Sequence, residues 1–366
     1  MKRLLSAAVL SVTGIATVLP AVAQAQSSAS PYTSATRYDA MGRAVGTIAP
    51  DPDGSGPLKH LATRTTYDAR GNVTKVESGE LQSWKTESVL PANWGADFDN
   101  HIQSSAETTY DAMNRKLTDR VKGSDGATIS LTQYSYDSLG RLECTAVRMN
   151  PAAYNSLPAD ACTLGSQGSQ GPDRITRTVY DAFGQVLQVR KAVGTSIEIA
   201  DVTYSYTPSG QIEQVIDANG NRAELRYDGH DRQTRWVFPS KTRPSSFNNA
   251  SASSAASSAG ALNESDYEAY TYDNNGNRLS LRKRDGSVIN YTYDALNRMT
   301  VKDLPVRADL STAHQRDVHY SYDLRGLQTR AGFYNPIHAN AVRYSYDGFG
   351  RLITEEQESD ARLRIV

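Results

Sequence analysis

Tyr134-Ser135-Tyr136-Asp137-Ser138-Leu139-Gly140-Arg141-Leu142 and Tyr344-Ser345-Tyr346-Asp347-Gly348-Phe349-Gly350-Arg351-Leu352 spell one nine-residue phrase twice. Its Tyr-Asp pair recurs at Tyr38, Tyr67, Tyr110, Tyr136, Tyr180, Tyr227, Tyr272, Tyr293, Tyr322 and Tyr346, with a degenerate copy at Tyr206-Thr207. Successive tyrosines lie 29, 43, 26, 44, 26, 21, 45, 21, 29 and 24 residues apart. The unit is therefore 21 residues, a supersecondary length, and the longer gaps carry insertions.

Each position of the unit has a physical reading. Three residues after the Asp position stand Gly42, Gly71, Asn114, Gly140, Gly184, Gly210, Asp231, Gly276, Asn297, Gly326 and Gly350. Only Gly, Asn and Asp occur there, the residues that tolerate a left-handed backbone, which costs others about 1–2 kcal/mol. Two residues before the Tyr stand Thr36, Thr65, Thr108, Tyr134, Thr178, Tyr204, Leu225, Tyr270, Tyr291, Tyr320 and Tyr344, mostly strand formers on the same face as the Tyr. Leu142, Val186, Ile212, Met299 and Leu352 return an apolar side chain after the turn. Each unit reads as a strand, a four-residue Asp-x-x-Gly loop and a strand. One hairpin is marginal in water, so the units must stack edge to edge, with a core expected from their Tyr and Leu/Val faces. Tyr270/Tyr272 and Tyr291/Tyr293 exemplify the expected packed stripe. The fold class is all-β.

Composition agrees and excludes alternatives. The chain has 366 residues, Lys+Arg 39 against Asp+Glu 40, two cysteines and 21 Tyr against 6 Phe. The balanced charge argues against a nucleic-acid binder, and two cysteines are too few for a disulfide-stapled toxin. A mean hydropathy of −0.54 argues against a membrane bundle. Met1-Lys2-Arg3, the apolar run Leu4 to Leu19 and the small residues Ala21-Val22-Ala23 or Ala23-Gln24-Ala25 read as a secretory signal peptide over 1–25. The expected layout continues with a flexible leader at 26–35 and the repeat region at 36–366, with insertions at about 77–105, 143–173 and 239–265. The chain is expected to be secreted, periplasmic or on the cell surface, with no membrane span after cleavage. In an oxidising compartment Cys144 and Cys162 can pair, which would contribute roughly 3 kcal/mol; two separate buried thiols are the alternative.

The phrase Tyr-x-Tyr-Asp-x-x-Gly-Arg-Leu, with relatives at Tyr291 to Met299 and Tyr270 to Leu279, resembles the YD repeat of the RHS family. The resemblance covers about residues 36 to 354. It implies a curved, spiralling antiparallel sheet that closes into a hollow shell, as in secreted bacterial toxins, wall-associated proteins and the animal teneurins. It also implies as partners further RHS repeats or an enclosed polypeptide in a longer parent chain. Fuller members end in a core motif of Pro, Asp-Pro and Gly-Leu character and a variable toxin. This sequence shows neither, so the expectation is a truncated member forming an open segment. Eleven hairpins at about 4.8 Å per strand give a ribbon of roughly 105 Å, and a closed ring of it would be only about 34 Å across.

Chemistry-bearing patterns are absent from the sequence. The histidines His60, His101, His230, His314, His319 and His338 include no zinc spacing. Asp273-Asn274-Asn275-Gly276-Asn277 has some calcium-loop character but lacks the twelfth-position Glu. Arg43, Arg115, Arg141, Arg232, Arg298 and Arg351 follow the turn residue, and the Asp four positions earlier offers each a partner. No nucleotide loop or nucleophile elbow occurs, and no catalytic, cofactor-binding or metal-binding residue is expected. Ser245 to Ser258 reads as a mobile solvated loop, the stretch around Gly165-Ser166-Gln167-Gly168 as a polar excursion, and Trp84 and Trp94 as a small flap over the sheet. The expected function is a non-enzymatic exported scaffold. Two rivals are a cell-surface adhesin for envelope carbohydrate and a hydrolase with an unrecognised site.

Overall fold

The computed structural model describes residues 32–54, 56–306, 308, 317–333, 341–358 and 364–365. The expected signal peptide, most of the leader, His314 and His338 lie outside them. Among the described residues the chain is all-β, with α-helix confined to Ala96–Asp99 and Ala252–Ser258. It forms two compact units, Met1–Thr178 with Lys191–Glu198, and Val179–Arg190 with Ile199–Val366. In the first, strands from Ala35–Tyr38 through Leu142–Arg148 each pair antiparallel with the next in sequence. In the second the same meander runs from Ile199–Tyr206 to Leu352–Glu358. Every such connection is local, as a hairpin repeat requires.

The 21-residue period has a second turn, outside the Tyr-Asp phrase. Opposite the Tyr-Asp turns, Gly123 to Ala127, Asp217 to Asn221 and Lys283 to Ser287 close return hairpins of the same geometry. In each, the N–H of the first residue donates to the carbonyl of the fifth, and Gly126, Gly220 and Gly286 take φ of 74°, 81° and 85°. Asp125-Gly126, Asn219-Gly220 and Asp285-Gly286 were the available signal. Where the gap between tyrosines is longest, an insertion replaces this return turn.

Those insertions build the cores. Cross-strand partners share a sheet face, and so do residues i and i+2. In the first unit that arithmetic places Arg37, Ile48, Ala62, Glu77 and Ser105 on one face, and Thr36, Tyr38, Thr65 and Tyr67 on the other. Ile48, Ala62 and Leu81 are buried under Trp94 and Phe98 of the segment following Leu81, so the flap expected around Trp84 and Trp94 is a packed cover. Gly46 is required there, because an added Cβ would lie 2.6 Å from Pro91 Cγ. A second cover, residues 150–173, buries Cys144, Ala146 and Ile175 beneath Ala161 and Leu164. Its anchor is Arg148, which donates to Asp173 Oδ2 at 2.6 Å, Gln133 Oε1 at 2.7 Å and the Thr163 carbonyl at 2.7 Å. Burial pushes Asp173 upward, but the Met149 and Gly165 amides and the Arg148 guanidinium outweigh it and hold the carboxyl below its usual range. Cys144 and Cys162 form a disulfide across 5.3 Å between Cα atoms, tying this cover to its strand.

Two expectations are corrected. Ser245 to Ser258 is not loop throughout: Ala252–Ser258 is helical, the Ser251 side chain caps it by accepting from Ser254 N, and Ala255 is fully buried. Alanine favours the helix and serine the cap, so the small-residue composition encodes order here. Of the tyrosines expected to form the core, Tyr291 is buried, but most of the core is not theirs. It lies on the opposite face, under the covers, while most repeat tyrosines are only half-buried.

Replacing Cys162 with Ser removes an 18-residue cross-link. Urea unfolding should lose about 3 kcal/mol, and reductant should reproduce that loss in the unaltered chain.

Candidate functional site

The repeated turn is the feature most developed in this chain, and it begins with its Asp. At Asp39 the amide donates to the Arg43 carbonyl and Gly42 N donates back to Asp39 O, both at 3.0 Å. The Asp39 carboxylate completes the turn: Oδ1 accepts from Met41 N at 2.9 Å and Arg43 N at 3.0 Å, and Oδ2 from Arg43 Nε at 2.8 Å. The expected four-residue loop is thus three residues held inside an Asp–Arg pair. The same Nε to Oδ2 bond recurs at Arg115, Arg141, Arg232, Arg298 and Arg351, at 2.6–2.8 Å. Asn72 and Asn277 make it with their amides, so the acidic loop at Asp273 spends its carboxylate within the turn. Among the described residues no cluster of acidic, His or Cys side chains could hold a metal.

All the turn residues expected to be left-handed have positive φ: Gly42, Gly71, Gly140, Gly184, Gly210, Gly276, Gly326 and Gly350 between 76° and 89°, and Asn114, Asp231 and Asn297 between 59° and 63°. Immediately beyond, the return strand carries one extra residue. Tyr38 pairs with Ala44 while Arg37 pairs with Gly46, so Val45 bulges. The same shift sits beside Tyr67, Tyr110, Tyr136, Tyr206, Tyr227, Tyr272, Tyr293, Tyr322 and Tyr346. The sequence pattern gave no sign of it.

The bulge explains why the repeat residue is Tyr and not Phe. Between hairpins the ladder stops at Gly46 and Arg64, leaving the Ala44 carbonyl with no strand partner. Tyr67 Oη donates to that carbonyl at 2.8 Å. Tyr110 does the same to Val73, Tyr136 to Lys116, Tyr206 to Val186 and Tyr227 to Ile212, at 2.7–3.0 Å. Tyr272 reaches Gln233, Tyr293 Arg278, Tyr322 Met299 and Tyr346 Gln328, at 2.8–3.0 Å. Each phenol therefore replaces the ladder bond that the bulge removed in the preceding hairpin. Tyr38 begins the series and is 58% exposed, and Tyr180 ends the strand Arg174–Tyr180. The surplus of Tyr over Phe was the legible signal for this bond.

Arginines add a second tie. Arg43, Arg115, Arg232 and Arg298 lie 4.4–4.8 Å over the rings of Tyr67, Tyr136, Tyr272 and Tyr322 in the following hairpins. Arg232 and Arg298 also donate to the carbonyls of Asp273 and Asp323. Each guanidinium so joins its own Asp to the next turn. On the same face Tyr134 donates to Asp119, and burial together with that carboxylate pushes the phenol up to about 12. Asp228 is held down to about 2 by the Arg232 guanidinium, helped by the His230 and Arg232 amides.

Two outcomes are expected. Tyr293→Phe should cost about 0.5–1.5 kcal/mol in urea unfolding, the value of one hydrogen bond. Tyr291→Ala, at a position only 6% exposed, should cost about 3–5 kcal/mol. Because the carboxylates of Asp39, Asp111, Asp137, Asp228, Asp294 and Asp347 are depressed in the folded chain, their contribution is complete above about pH 4, the unfolded range, and is lost as pH falls toward 2. The urea midpoint should therefore drop across that window, and Asp228→Asn should flatten part of the drop.

The family profile described as Teneurin YD-shell matches residues 252–366, and the one described as RHS Repeat matches residues 180–222. No curated protein matches in sequence. Among solved structures, TcdB2-TccC3 is similar at 15% identity and a TM-score of 0.39, covering 91% of this chain and 19% of that one. TcdB2-TccC3 without its hypervariable C-terminal region gives 14%, 0.38, 90% and 18% in the same order. The Photorhabdus luminescens Tc holotoxin pore gives 16%, 0.33, 90% and 18%. The chain thus spans less than a fifth of the length of these structures' matched chains. Both profiles fall on the tyrosine-glycine hairpins described above, and the chain is an RHS/YD-repeat protein.

Proposed function

We propose that this protein is an exported, non-enzymatic scaffold that forms part of the wall of a YD-repeat shell and shields a polypeptide within it. The observation that carries the reading is the fate of the reactive groups. Phenols, turn carboxylates and guanidiniums of the repeat, which could elsewhere be acids, bases or ligands, are bonded to a neighbouring hairpin or to their own turn. The family matches support a structural shell. Export rests on the three-part N-terminal pattern, and the enclosed polypeptide on the shell architecture of the family.

The adhesin reading has one aromatic pair in its favour. Trp236, 38% exposed, stacks on Phe238 at 4.8 Å, whereas Trp94 is 2% exposed beneath its sheet.

Two measurements test the scaffold. N-terminal sequencing of protein recovered outside the cytoplasm should begin after Ala23 or Ala25; an intact Met1 would refute export. Proteinase treatment of the purified full chain, read by mass spectrometry, should leave a second polypeptide protected until urea opens the shell. No protected polypeptide would refute enclosure.

A further inference from the structure

Two positions of the phenol-to-carbonyl series stand unfilled among the described residues, and they are opposite halves of one contact. Ala35–Tyr38 pairs there with Ala44–Ile48 and with no other strand. Among the described residues Tyr38 Oη has no acceptor, and Tyr38 is 58% exposed where every other repeat tyrosine is half-buried. Leu352 is the counterpart. It pairs with Tyr346 as Ala44 pairs with Tyr38, so it carries the carbonyl that the bulge leaves out of the ladder. Among the described residues no phenol donates to that carbonyl, and Leu352 and Ile353 are 53% and 62% exposed.

The repeat itself fixes how such halves meet. Between hairpins, the residue three before the phenol opposes the residue two after its acceptor: Arg64 opposes Gly46, Gln133 opposes Thr118 and Asn290 opposes Ser280. The same register sets Ala35 opposite Thr354 and Thr36 beside Ile353, with Tyr38 Oη at the Leu352 carbonyl. That slot is open. On the side away from Ala341–Tyr346, the strand Leu352–Glu358 pairs only at Glu356 and Gln357, with Ile365 and Arg364, among the described residues. Two copies of Ala35–Tyr38 could not serve each other, because neither has a bulge carbonyl to offer the other's phenol. We propose that a second copy of this chain docks head to tail, pairing its Leu352–Thr354 edge antiparallel with Ala35–Tyr38 and accepting from Tyr38 at its Leu352 carbonyl. The contact continues, between copies, the interface that already joins successive hairpins within the chain. It pairs an exposed strand edge and covers the aliphatic surface of Leu352 and Ile353. Its halves differ, so it is heterologous and propagates from copy to copy unless it closes. The inference does not rest on the scaffold reading: the mass of an assembly reports docking whether or not a polypeptide is enclosed.

Sedimentation equilibrium of the purified full chain should give a mass above that of one chain, rising with concentration. Tyr38→Phe keeps the ring and removes the donor, and should weaken association about threefold to tenfold. Tyr293→Phe makes the same change inside the chain and should leave association unchanged. Thr36→Glu blocks one half of the contact and Ile353→Glu the other, both at exposed positions. Each glutamate variant alone should sediment as a single chain. Their equimolar mixture retains one intact half of each kind, and should form a dimer that grows no further. Circular dichroism matching that of the unaltered chain keeps folding out of the comparison. A single-chain mass at every concentration overturns the proposal. Association that survives in either glutamate variant alone, or a mixture that stays monomeric, overturns it equally.

Discussion

A backbone carbonyl left without a ladder partner is expensive, and this structure creates one at each Tyr-Asp hairpin. The bulge after the turn splays the return strand from the strand that follows, and the next hairpin's phenol closes the gap. Tyr67 bonding to Ala44 and Tyr293 bonding to Arg278 are the same event at two places in the chain. The constraint is mutual: hairpins can bend away from one another only where a hydroxyl reaches back. Bulge and tyrosine are therefore one device, and each repeat supplies the part that its predecessor lacks.

Hydrophobic burial is divided from this rail. The tyrosines and their arginines knit one face near the turns, while the opposite face is closed by covers grown from insertions. Trp94 and Phe98 seal one patch, Ala161 and Leu164 another, and Ala255 a third, in the second unit. The covers are fastened by polar bonds as well as packing. Arg148 places its guanidinium among Asp173, Gln133 and the Thr163 carbonyl, and Arg190 donates to the Asn249 carbonyl at 2.7 Å. A repeat sheet one layer thick has no second layer of its own to bury against, so its stability depends on these additions.

The same accounting bears on function. A repeat that commits its acids, bases and phenols to neighbouring units is suited to walls.

From its residues alone the chain determined its period, its turns and its class. Gly, Asn or Asp at one offset demands a left-handed residue whatever surrounds it, and positive φ from Gly42 to Gly350 follows from local sterics. The pairing of Arg43 with Asp39 was legible for the same reason, because four residues of one turn hold both groups. The bulges, the identity of the buried face and the hydroxyl bonds were not legible, although 21 Tyr against 6 Phe pointed toward the last. Each depends on where the next hairpin lies, and Tyr67 meets Ala44 across 23 residues of chain. Ser245 to Ser258 misled for the complementary reason: its composition is compatible with loop or helix, and only the sheet beneath Ala255 chose between them.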